Sequence, residues 1–296
     1  MAFTYFHVNF HLVLIESFKY GINTGLRHWR TALIGYVFQL LLVFTVGMQI
    51  YQVFEASIGN SLGINELMDG FDDTVVSDFI QVHGASLSPL LGQLRYLFLV
   101  YLVFSVFINA GLLFAVSEEK PGWVSFWEGG KKYFLHFFVL ALIFLLLVVI
   151  WSAFTLVPFL AYMQPSIEDF SSEKVTVYLL FVVLFVWLLG LIYLFNASVA
   201  ARLRIMEADK SIWDSFIAGI GFAFRRFFSL AGLFLLFFFL QIVFIVIYWV
   251  AEDGSGMISP LLVFVFFIVQ QIMVFFRWMF RLAMYGGIKK FAAANG

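Results

Sequence analysis

Apolar positions in this chain come in long unbroken blocks rather than in short alternating runs. Six blocks reach or exceed the ~20 residues a helix needs to cross a hydrocarbon core. They are Thr31–Phe54, Pro89–Ser117, Phe134–Leu160, Val175–Ala200, Phe227–Val250 and Pro260–Tyr285. Ahead of the first block the pattern changes: Phe3, Phe6, Phe10, Val13, Leu14 and Phe18 recur at helical spacing. One apolar stripe with polar flanks predicts an amphipathic helix lying in the membrane interface. The same stretch has no basic leader and no small-residue cleavage site, so it is expected to stay on the chain.

A phrase repeats ahead of every odd-numbered block. It is IESFKYGINTGLRHWR at 15–30, WVSFWEGGKKYFLHFF at 123–138 and WDSFIAGIGFAFRRFF at 213–228. The shared core is S-F-x-x-G, carried by Ser17, Phe18 and Gly21, by Ser125, Phe126 and Gly129, and by Ser215, Phe216 and Gly219. Further on stand His28, His136 or Arg226, each followed by an aromatic residue: Trp29, Phe137 or Phe227. The even-numbered blocks match one another too. Two open with Ser-Pro (Ser88–Pro89 and Ser259–Pro260), as a helix cap followed by proline in the first turn. Their far ends read FINAG, LFNAS and FRLAM, which align Asn109, Asn196 and Arg281. The unit is therefore an elbow, a span out, an outer loop and a span back. Residues 1–296 form a single membrane domain of three such units, approximately 1–117, 118–200 and 201–296.

Charge sets the orientation. Of the 17 Lys and Arg residues, all but Arg95 and Lys174 lie in the elbows or near the last ends of the even-numbered blocks. The positive-inside rule then puts the elbows and both termini in the cytoplasm. The outer loop 55–88 carries Glu55, Glu66, Asp69, Asp72, Asp73 and Asp78 and no base. Its segment DDTVVSDFIQVH predicts a short surface helix capped by Asp. DGFDD lacks the alternating ligands of an EF-hand loop, so the loop reads as a solvated acidic cap.

Each elbow has a physical explanation as a packing device. Ser17/Gly21/Gly25 and Ser215/Gly219/Ala223 are small residues one turn apart, which lets a second helix approach closely. The middle copy has Tyr133 at the last position, so its packing must differ. Gly219 should resist Leu and accept Ala. The aromatic residues at Phe18, Phe126 and Phe216, with Trp29, Phe137 and Phe227, are expected to face the lipid interface.

Composition narrows the functional classes. The chain is 63% hydrophobic and 12% charged, against about 25% charged for a soluble domain, and its net charge of −1 makes no case for nucleic acid. There is no cysteine, which removes disulfides, thiolate metal sites and cysteine nucleophiles. His7 and His11 stand four apart, as two metal ligands on one helical face would, but neither a cysteine nor an H-E-x-x-H pattern completes a site. Ser211 and Asp214 form a helix-capping box. No phosphate loop or nucleophile elbow is visible. Polar residues within spans are the remaining signal, because their cost in lipid marks them as functional candidates. Gln270 and Gln271 lie ~15 Å below Pro260, near the midplane, and Gln39 and Gln241 come within ~10 Å of that level. Together with Asn109, Asn196 and Arg281 they are the candidate interior polar set. Arg281 falls ~32 Å below Pro260, deep enough to anchor at the inner interface.

Cytoplasmic S-F-x-x-G elbows leading into six aromatic- and Leu-rich spans resemble the bacterial six-helix membrane proteins related to the membrane domain of glycerophosphodiester phosphodiesterases. That resemblance implies the fold, and it transfers no catalytic residue, because the soluble phosphodiesterase barrel has no counterpart here. The sequence thus predicts an all-α, multi-pass protein of the bacterial inner membrane, with three repeated hairpins and amphipathic elbow helices. The expected function is non-enzymatic: an accessory component, without cofactor or metal, that contacts membrane lipid, a partner protein or a second copy of itself through its elbows. The alternative is a transporter or channel for a small solute or lipid, with the glutamines on its path.

Overall fold

The computed structural model describes residues 2–58, 73–119, 122–166, 173–208, 211–255 and 259–295, and nearly all of them are helical. The helices are α1 (Ala2–Arg27), α2 (Trp29–Ile58), α3 (Asp73–Ser117), α4 (Trp123–Ser166), α5 (Glu173–Ala208), α6 (Ile212–Arg225), α7 (Phe227–Ser255) and α8 (Pro260–Asn295). Six contain stretches long and apolar enough to cross a membrane: Trp29–Gln52, Gly92–Ser117, Trp123–Tyr162, Lys174–Met206, Phe227–Ser255 and Leu261–Asn295. Each overlaps one block expected from the sequence. The protein is an all-helical, multi-pass membrane protein.

Where helices begin and end follows local chemistry. Ser211 opens α6 by accepting the Asp214 amide at 3.2 Å while its hydroxyl donates to Asp214 Oδ2 at 2.7 Å, so the expected cap is present. The Asp214 carboxylate sits on the Ser211 hydroxyl, where a capping box would put it on the backbone amide. Ser259 opens α8 in the same way, accepting the Leu262 amide at 3.2 Å. Glu119 closes α3 in the left-handed conformation, at φ 56°. Two expectations need correction. Ser88–Pro89 does not start a helix, because α3 runs without interruption from Asp73 to Ser117. The outer segment DDTVVSDFIQVH is thus the first part of that long helix rather than a separate one. A proline costs one backbone bond inside a helix, and the roughly four turns that precede it here, from Asp73, outweigh it. The second elbow is likewise not a separate helix. α4 continues from Trp123 through His136 to Ser166, whereas the chain turns at His28 between α1 and α2 and at Arg226 between α6 and α7. DGFDD at 69–73 lies largely outside the described residues. The side chains of His7 and His11 are also outside them.

The chain divides into two compact units: Met1–Leu33 with Val106–Gly296, and Ile34–Ser105. In the smaller unit Phe38 stacks on Phe104 at 5.3 Å, and Leu41, Phe44, Tyr96 and Phe98 are exposed. In the larger unit burial is uneven along the helices. The last turns of α3, α5 and α8 hold the core, with Leu112, Leu113, Leu203, Ile205, Leu282, Tyr285 and Ile288 all closed off. The opposite stretches expose Leu146, Phe154, Phe181, Phe185, Phe239, Ile247 and Phe264. Apolar side chains exposed in this way have a stable environment in lipid, where the hydrophobic effect does not penalise them.

Candidate functional site

The S-F-x-x-G residues form three seats where one helix lies against another. Ser17, Ser125 and Ser215 are 1%, 7% and 0% exposed. Four residues on, Gly21, Gly129 and Gly219 are buried, and four beyond that so are Gly25, Tyr133 and Ala223. A Cβ added at Gly21 would overlap the Ala283 carbonyl of α8 and approach the Gly287 amide at 3.2 Å. At Gly219 it would meet the amide nitrogen and Cβ of Ala201 on α5, both at 2.7 Å. At Gly129 it would overlap the Phe114 side chain of α3. The expected tolerance of Gly219 for alanine is therefore corrected, since backbone atoms occupy the space a methyl group would need. The expected difference in the middle copy is real: Tyr133 is buried, with its ring 5.8 Å from that of Phe114 and 6.2 Å from that of Phe137.

The face turned outward is not the expected one. Phe126 and Phe137 are 1% and 0% exposed, among the largest fully buried side chains. Phe18 packs on Phe237 at 4.8 Å, Phe216 on Phe144 at 5.5 Å and Phe227 on Tyr193 at 6.2 Å. Of the six expected aromatics, Trp29 alone is strongly exposed. The outward positions are two residues before and two after each serine: Ile15, Trp123 and Trp213, then Lys19, Trp127 and Ile217. A helix turns 100° per residue, so with Ser and Gly facing a neighbour the position directly after Ser still falls near the contact. The phrase carried this signal in its tryptophans.

The polar candidates have separate settings within each unit. Gln270 is exposed and donates to the Tyr248 hydroxyl at 2.6 Å, linking α8 to α7. Gln241 is seven residues, ~10 Å, from Tyr248 along α7 and lines a small groove with Met273 and Arg277. Gln271 is half-buried, as is Gln39, which belongs to the smaller unit. Asn109 and Arg281 do come together, through a residue that sequence reasoning missed. Tyr285 donates to Asn109 Oδ1 at 2.9 Å and accepts from Arg281 Nε at 3.1 Å. Asn196 is buried, its amide donating to the Ile192 carbonyl at 2.8 Å, while its Oδ1 has no partner. Arg202 lies near Tyr285 and Arg281, with its guanidinium 5.5 Å from the Phe137 ring and its buried Nε unpaired. Its place in AARLR, among basic residues near the end of α5, gives no sign of this burial.

A second linkage closes the same end of the larger unit. Lys289 of α8 donates to the Ser117 carbonyl at 2.8 Å and the Val116 carbonyl at 3.3 Å, satisfying the last turn of α3. It also pairs with Glu119 at 3.4 Å, whose carboxylate accepts from Tyr20 at 2.9 Å. The Tyr20 hydrogen bond and the Lys289 charge hold the Glu119 carboxyl below its usual value. Burial, then the same bond, pushes the Tyr20 phenol up. Beside them His28 is 1% exposed, and burial followed by the Arg27 charge lowers its pKa to about 4, so it is neutral at pH 7. Chemically the region offers tight packing, one fixed ion pair and a set of cationic and amide groups.

Comparison of the chain with protein-family models, with characterised proteins and with solved structures finds no match.

Proposed function

We propose that this protein is a non-enzymatic accessory component of the bacterial inner membrane, with both termini cytoplasmic, acting through contact with lipid or a partner protein. Its architecture on this reading is three repeated hairpins, the arrangement implied by the resemblance to the membrane domain of glycerophosphodiester phosphodiesterases. The observation that carries the reading is the register of the three seats. Gly129 and Gly219 lie against Phe114 and Ala201, each four residues beyond an aligned alanine (Ala110 and Ala197), and Gly21 lies between the third aligned alanine, Ala283, and Gly287 four residues beyond it. The first elbow sits on the last span, so the three contacts are related cyclically. This register sets Leu282 opposite Asn109 and Asn196, one residue later than the sequence alignment placed Arg281. With the seats closed by packing, chemistry with other molecules falls to the exposed apolar and tryptophan-bearing faces, Trp123, Trp127 and Trp213 among them.

Photocrosslinking from positions 123 and 213 in cells tests the reading. It expects lipid or protein adducts at both, and none from the buried position 230. A transporter of small anions is the second reading, supported by the unpaired Arg202 Nε beside Arg281, Tyr285 and Asn109. Anion flux in proteoliposomes that Arg202→Met abolishes without loss of folded protein would replace the accessory reading with the transport one.

A further inference from the structure

An apolar groove of about 890 Å³ lies between α4 and α5, bounded at one end by the turn between α6 and α7. Its walls are Ile150, Trp151 and Phe154 on α4 and Leu189 and Tyr193 on α5, with Phe227 at the turn. Its form is fixed by hydrogen bonds. The Trp151 indole donates to the Trp187 carbonyl at 3.1 Å, and the Trp187 indole donates to Ser152 Oγ at 3.0 Å, tying α4 to α5. At the other end the Tyr193 hydroxyl donates to the Ile220 carbonyl at 3.2 Å and fixes α6. Gly190 allows the two helices to meet there, because any side chain at this position would overlap the Trp151 ring.

The turn supplies a second, independent feature. Arg225 and Arg226 stand in sequence between Phe224 and Phe227, which both line the groove. Neither guanidinium has a hydrogen bond or ion pair with another described residue, and Arg225 is exposed. Phe224 and Phe228 are 76% and 83% exposed beside them. An apolar groove whose end is lined by Phe224 and Phe227, with two arginines between them in sequence that have no partner among the described residues, has the chemistry of a phospholipid: acyl chain at one end, phosphate at the other. A docked apolar helix would match the groove and leave the arginines without a counter-charge.

We propose that this groove holds an acyl chain of an anionic membrane phospholipid, whose phosphate lies on Arg225 and Arg226. The proposal deepens the lipid-contact reading above and rests on it. Attraction of an anionic lipid by an interfacial arginine corresponds to about fivefold in affinity per residue.

The test uses the full chain in mild detergent and measures bound lipid by native mass spectrometry against phosphatidylglycerol and phosphatidylcholine. The expected result is retention of phosphatidylglycerol over phosphatidylcholine by roughly 10-fold or more, falling to near parity in Arg225→Gln/Arg226→Gln. Leu147→Trp, which fills the wall of the groove, should lower retention of both lipids while helix content is unchanged. If the double variant does not fold, 1 M salt should remove the headgroup preference of the wild-type protein. Equal binding of the two lipids by wild type, or a preference insensitive to both the arginines and salt, overturns the proposal. So does displacement of lipid by a second copy of the chain seated on the groove. The photocrosslinks at 123 and 213 are independent of this groove, so its failure would leave the accessory reading standing.

Discussion

The second and third elbows share a phrase but not a backbone. In the third, the helix carrying Ser215 and Gly219 ends at Arg225, and the chain turns at Arg226 with φ −116° and ψ 26° before α7 begins. In the second, Ser125 and Gly129 lie in the first turns of a helix that passes straight through His136. Their seats differ in the same sense. Gly219 faces Ala201, with Ala223 one turn on, so the two helices run close together. Gly129 faces Phe114, and the buried Tyr133 occupies the next position. We attribute the turn to this difference. Both elbows approach their neighbours closely at the glycine, so the difference lies one turn on. A helix whose small-residue face continues to Ala223 must change direction to enter its span, whereas one whose close approach ends at Gly129, with Tyr133 filling the next position, need not. The phrase specifies which face is buried, and the residues around it decide whether the axis breaks.

Exchanging seat residues between the copies breaks the comparison most sharply. Ala201→Phe places in the third seat the residue that Phe114 supplies in the second. With Ala201 fully buried against Gly219, overpacking should cost ~3 kcal/mol or more, read as loss of folded protein in mixed-micelle unfolding. Wild-type stability would mean that the seats are interchangeable and that backbone proximity does not matter. Gly219→Ala comes next, at ~1–3 kcal/mol, because its methyl group meets the Ala201 amide rather than a movable side chain.

Acid should then separate the first copy from the rest. His28 has a folded pKa of about 4, below its unfolded value of 6.5. The neutral form is favoured by folding, so its contribution is present above pH 6.5 and is lost as pH falls toward 4. At pH 5 this amounts to about 2 kcal/mol. Glu119 acts in the same direction at lower pH, since its depressed pKa stabilises the folded state only while it is ionised. His28→Gln should flatten the stability profile between pH 7 and 5, measured by the same unfolding assay, and an unchanged slope would remove His28 as its source. The smallest effect belongs to Gln270→Leu. It loses one exposed interhelical bond to Tyr248 and should cost no more than ~1 kcal/mol.

Much of this was legible because it depends on length and periodicity alone. Six apolar blocks became six long helices, and recurring Ser and Gly marked the buried face of each elbow. Ser211–Asp214 and Ser259 worked as caps because their bonds are local in sequence. What escaped was set by distant partners. Tyr285 reads as an ordinary interface aromatic until its hydroxyl meets Asn109, 176 residues away. Lys289 reads as a topology signal, yet its ammonium caps α3. Phe126 and Phe137 read as lipid anchors, because in so aromatic a chain composition does not distinguish a Phe that faces lipid from one that fills a core. Spacing gives the midplane glutamines a depth, but not the partner that Gln270 finds in Tyr248.

The elbows' position on the cytoplasmic face is the claim on which the account turns. The chain has no cysteine, so single cysteines can be placed without background. Lys131→Cys lies on the exposed side of the second elbow and Asp253→Cys at the exposed far end of α7. In intact cells a membrane-impermeant thiol reagent should label Asp253→Cys and reach Lys131→Cys only after permeabilisation. Labelling of Lys131→Cys in intact cells, with Asp253→Cys protected, would invert the protein and contradict the account.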